Sequence, residues 1–140
     1  MRKILFIALI LTTLPLTAQF QRRQWGVRGG LADGEAMIGG EYLLPVSARI
    51  LFTPNVELST NLATANADLA YGFELRGDAA LWVGVAAAMV HPDESDLDFG
   101  VNAFLGIGVS RGAWYPYAQV KATKRSGGDR YTTAAFGVRF

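Results

Sequence analysis

Thr133-Ala134-Ala135-Phe136-Gly137-Val138-Arg139-Phe140 is the stretch from which the rest of the chain can be understood. Ala134, Phe136, Val138 and Phe140 fall on one parity, and Thr133, Ala135, Gly137 and Arg139 on the other. A period of two belongs to a β-strand, whose side chains alternate between two faces. One face is bare of charge. The other carries an arginine among small residues, so the two faces meet different surroundings.

The same period recurs upstream, and no stretch after Gln19 keeps a helical apolar period. The runs are Gln24 to Leu31, Ala36 to Leu43, Ala48 to Leu58, Ala67 to Arg76, Ala79 to Val90, Leu97 to Ser110, Trp114 to Lys124, and finally Arg130 to Phe140. Pro45-Val46-Ser47, Gly77-Asp78 and Arg111-Gly112-Ala113 connect them tightly on one side. Asp33-Gly34-Glu35, Ser59 to Asn66, His91 to Asp96 and Arg125 to Asp129 connect them on the other. Short links between neighbouring strands make hairpins. Eight such strands form an all-β, antiparallel, up-and-down meander, and closure into a barrel removes its two open edges. Pro54 lacks the N–H that a central strand uses, and a bulge or turn there would change the strand count.

The apolar parity carries Ile50, Phe52, Val56 and Leu58 in the third run. It carries Leu69, Tyr71, Phe73 and Leu75 in the fourth, Leu81, Val83, Val85 and Met89 in the fifth, and Leu97, Phe99, Val101, Leu105 and Ile107 in the sixth. The other parity collects Arg28, Glu41, Arg49, Glu57, Asp68, Glu74, Arg76, Asp98, Lys121 and Arg139. A soluble barrel would turn the apolar set inward, and a membrane barrel would turn it toward lipid. The charged face also holds Gly72, Gly84, Gly100, Gly106, Gly108, Trp82 and Phe104. Glycine weakens a strand unless close packing needs its small size, and a narrow lumen filled by side chains has that need. The charged face is therefore expected inside, giving a transmembrane barrel. Trp25, Tyr42, Trp114, Tyr115 and Phe140 gather at the tight-turn end, as half of an interfacial aromatic girdle would.

Arg2 and Lys3, an apolar stretch from Ile4 to Leu16, and Ala18 before Gln19 have the form of a secretory signal peptide over residues 1–18. The apolar run falls short of the roughly 20 residues a spanning helix needs. A retained N-terminal anchor is the alternative. The barrel domain would occupy residues 19–140. Without Arg2 and Lys3, 11 cations face 12 acids, and no basic excess points to nucleic acid. The absence of cysteine excludes a lipidated N-terminal cysteine and any thiol metal site.

Ala67-Asp68-Leu69-Ala70-Tyr71-Gly72-Phe73, Phe99-Gly100-Val101-Asn102, Tyr117-Ala118-Gln119-Val120-Lys121 and Ala135-Phe136-Gly137-Val138-Arg139-Phe140 resemble strands of the small, porin-like, eight-stranded outer-membrane β-barrel domains of Gram-negative bacteria. The resemblance spans roughly Ala48 to Phe140. It implies residence in the outer membrane, contact with outer-membrane lipid, and insertion by the barrel-assembly machinery. That machinery recognises the last strand and its aromatic, here Phe140. The connections are shorter than in adhesive or enzymatic relatives.

Candidate chemistry is sparse. His91 precedes Pro92 in a connection, with Ser95 nearby, which is no arrangement for a catalytic triad. Asp93, Glu94, Asp96 and Asp98 form a carboxylate cluster that could touch Ca²⁺, but it lacks the glycine and distant Glu of an EF-hand loop. Arg76-Gly77-Asp78 is a turn sequence. The main candidates are the interior charges Arg28, Arg49, Arg76, Lys121 and Arg139, facing Glu41, Glu57, Asp68 and Glu74. Their near balance favours a salt-bridge plug over a selective pore. The expectation is a monomeric, non-enzymatic barrel without a cofactor, in a structural or interaction role. A soluble secreted barrel binding an apolar ligand and a narrow ion-conducting pore are the alternatives.

Overall fold

The computed structural model describes residues 22–94 and 96–140. The expected signal peptide and its cleavage site lie outside them, as does Ser95. Eight strands follow in order: β1 (Gln24–Ala32), β2 (Glu35–Pro45), β3 (Ile50–Ser59), β4 (Leu62–Glu74), β5 (Ala79–Pro92), β6 (Asp98–Val109), β7 (Tyr115–Arg125) and β8 (Arg130–Arg139). Each pairs antiparallel with the next, and β8 returns to β1 from Gly26↔Arg139 to Ala32↔Thr133. The barrel is closed and has no free edge. Phe140 extends the seam, its N–H donating to the Trp25 carbonyl at 2.9 Å.

The turns explain the register. Asp33 and Gly34 both adopt positive φ, 52° and 80°. That is the two-residue hairpin whose twist matches the strands, and Asp-Gly suits it. At the opposite end the Ser47 hydroxyl accepts the Ile50 N–H at 3.2 Å and closes the β2–β3 turn. The stagger follows from the pairings. A walk across the strands from Glu74 through Ala80, Gly108, Tyr117, Gly137, Arg28, Gly39 and Glu57 returns to β4 at Thr64, ten residues nearer its start. At about 3.3 Å per residue and 4.8 Å between strands, that stagger tilts eight strands by roughly 40°.

One expectation about the strands changes, and one open point is settled. Ser59 to Asn66 is not a loop, because β4 begins at Leu62. Small residues alternate there without large apolar ones to announce a strand: Ala63 and Ala65 alternate with the buried Thr64 and Asn66. Pro54 does not break β3. The β2–β3 register is the same on both sides of it, with a gap at Tyr42 and Leu43, while the β3–β4 ladder is continuous. The missing donor therefore faces β2, and the strand count stays at eight.

The apolar parity faces outward. Val85 is 61 % and Phe136 73 % exposed, and Lys124 and Arg130 alone break that parity with charge among the described strand residues. The interior is lined by the other parity. Leu43, Leu51, Ala80, Trp82, Phe104, Tyr115 and Tyr117 belong to one buried cluster, reaching to the tight-turn end. Trp82 packs over Gly106, Tyr115 over Gly108 and Tyr117 over Gly137, each ring occupying the place of a missing Cβ.

Candidate functional site

The lumen brings six of the nine expected charges into one chain of alternating sign. Arg139 Nε donates to Glu41 Oε1 at 2.6 Å. The other Glu41 oxygen accepts from Arg28. Arg28 Nη1 reaches Glu57 Oε1 at 3.0 Å. Lys121 Nζ lies 3.3 Å from the same oxygen and 3.5 Å from Asp68 Oδ2. All six residues are buried. Closure is what makes these meetings possible, since Arg139 and Glu41 are 98 residues apart in sequence.

Three cations meet three acids, so the bore is neutral as a unit. Isolated charges at such depth would be very costly, and pairing offsets that cost. Arg139 also lies over the rings of Tyr117 and Trp82, at 4.5 and 5.0 Å, a favourable cation–π placement. An amide ladder adjoins the ion pairs. Asn102 Nδ2 donates to Asn66 Oδ1 at 2.8 Å, and Asn66 Nδ2 to Asn55 Oδ1 at 3.0 Å. Thr64 Oγ1 donates to Glu57 Oε2 at 3.3 Å, tying the ladder to the charges. Trp82 Nε1 donates to Gln119 Oε1 at 3.1 Å.

Arg49, Glu74 and Arg76 stand outside the network. β4 ends at Glu74, so that side chain and Arg76 in the turn are exposed. Arg49 lies in the β2–β3 turn and makes no ion pair with a described residue. Tyr115 is a second correction: it is buried in the lumen beside Trp82 rather than on the girdle. Strand alternation dictates this, because Trp114 is outside and Tyr115 follows it. The other aromatics form two ring pairs, one on each side of the β8–β1 seam. Trp25 meets Tyr42 with ring centroids 4.5 Å apart, and Trp114 meets Phe140 at 5.9 Å.

Two inward residues escaped the sequence reading. Thr64 and Asn66 lay in an expected loop, and only their period-two spacing with Asp68 could have revealed them. The acidic connection does not assemble a site. Asp93, Glu94 and Asp96 are exposed, whereas Asp98 accepts from Arg125 Nε at 3.1 Å and from the Ser126 hydroxyl. No group of three or more His, Cys, Asp and Glu suited to a metal occurs among the described residues. His91 is exposed.

The architecture is that of eight-stranded transmembrane barrels. Two solved structures share it. The crystal structure of Neisserial surface protein A (NspA), an outer-membrane barrel, superposes with a TM-score of 0.61 at 13 % identity, over 84 % of this chain and 94 % of that one. A chain from the de novo design of transmembrane β-barrels gives 0.56 at 12 % identity, over 84 % and 93 %. At these identities the likeness is one of fold. No family model and no curated protein matches the chain.

Proposed function

We propose that the protein is an integral outer-membrane β-barrel of a Gram-negative envelope. It acts as a monomer in a structural or interaction role, without catalysis, and its bore is closed by the Arg/Lys–Glu/Asp chain. The observation that carries this reading is the inversion of the two faces. Val27, Ile38, Val85, Val101 and Phe136 are exposed while Arg28, Glu41, Lys121 and Arg139 are buried. Water rewards the opposite arrangement and hydrocarbon rewards this one. The tilt of roughly 40° also suits a spanning barrel. The Trp25–Tyr42 and Trp114–Phe140 pairs then sit at the inner interface, with the tight turns in the periplasm. Export would use residues 1–18, and β8 with Phe140 would be the segment the assembly machinery reads.

A soluble carrier of an apolar ligand needs an apolar, roomy interior, but charges, amides and packed rings fill this one. That alternative is set aside. The test of the membrane reading is fractionation with gel mobility. The protein should copurify with outer membranes, resist extraction without detergent, and migrate differently before and after boiling. Recovery as a soluble periplasmic monomer would sink the proposal.

A further inference from the structure

The geometry points to a binding site for a phosphate-bearing lipid of the outer leaflet on the outer wall across β5 to β8, a reading that rests on the membrane placement just proposed. Lys124 and Arg130 are exposed and directly paired across β7 and β8. Like charges placed opposite one another on a sheet repel. Neither is ion-paired with a described residue. Among the described strand residues they are the two charges that break the outward parity, and both are positive. They stand where the outward residues turn polar, after Val120 and Ala122 on β7 and before Thr132 and Ala134 on β8. This is the rim away from the tight turns, and so the outer leaflet.

A groove of about 790 Å³ runs from this pair along the wall. Its floor is Val85, Ala87, Val101, Ala103 and Ala122, and its end is Lys124 and Arg130. The three alanines make the wall shallow between larger neighbours. An acyl chain fits the apolar floor, and a phosphate between the two cations relieves their repulsion through charge-assisted bonds. A neutral or zwitterionic lipid fits the floor but does less for the pair. A second copy of this chain would bring another Lys124 and Arg130 and add to the repulsion.

The test uses the folded barrel in phosphatidylcholine nanodiscs doped with phosphatidic acid, with retained lipid counted by native mass spectrometry. Phosphatidic acid should be retained about 10-fold over phosphatidylcholine, as one charge-assisted contact implies. The Lys124→Ala/Arg130→Ala double variant should lose that preference. Ala103→Phe, which fills the groove from outside the core, should weaken retention with the cations intact. Lys124→Glu should raise the temperature of the gel-mobility transition in phosphatidylcholine and lower it in phosphatidic acid. Equal retention of the two lipids, a preference surviving in the double variant, or full competition by inorganic phosphate would each overturn the site. Dimers that Ala103→Phe abolishes would assign the groove to a second copy and overturn it too. The boiling-dependent mobility shift separates the two failures: its loss in every variant removes the membrane reading, and its persistence without lipid preference removes only this site.

Discussion

Glu41 joins two cations of the interior. It bonds Arg139 with one oxygen and Arg28 with the other, so its neutralisation takes away the ion-pair partner of Arg139 and leaves Arg28 with Glu57 alone. Glu41→Gln is expected to cost about 3–5 kcal/mol. Glu74→Gln, at an exposed strand end, should stay within about 0.5 kcal/mol. Urea unfolding in lipid vesicles, followed by tryptophan fluorescence, measures both, and equal losses would contradict the assignment. Parity alone had put Glu41 and Glu74 on the same face. Only the end of β4 separates them, and a strand end depends on where the neighbouring strand stops pairing. Tyr115 teaches the converse. Its place inside follows from alternation with Trp114, but its aromatic character suggested the girdle.

Among the strands, β5 was the most legible. Leu81, Val83, Val85 and Met89 share one side, and Ala80, Trp82, Ala86 and Ala88 fill the other. Val85 lies near the middle of Ala79–Pro92. Val85→Arg should therefore cost about 2–4 kcal/mol, the penalty for a cation on the lipid face at the midplane. Folding yield into vesicles should fall with it; unchanged stability would mean that Val85 meets water. β4 was the least legible, because Thr64, Ala65 and Asn66 carry too little bulk to advertise a strand. β3 survives its proline because only one of its two ladders loses a donor.

For the molecule as a whole, closure and stagger decide what the bore contains. Three cations and three acids meet at the bore, and Trp82, Tyr115, Tyr117, Leu43 and Leu51 line its tight-turn end. Planar-bilayer recordings of the wild type, Glu74→Ala and Arg139→Ala should be silent. Stepwise current from the wild type would replace the plug by a narrow conducting pore. The proposed plug is thus tested by permeation, and the lipid site proposed on the outer wall is tested separately.

Period-two alternation by itself determined that this chain is built of strands with one apolar and one charged face, because side-chain direction along a strand is a local property of the backbone. Alternation also told which face holds glycine, and hence which face is crowded. Only the tertiary structure decided which charge meets which. Lys121 on β7 reaches Glu57 on β3 across the lumen, and Arg139 on β8 reaches Glu41 on β2. Those meetings depend on the ten-residue stagger accumulated round the closed sheet. No window of sequence contains that quantity, because it arises when the last strand finds the first.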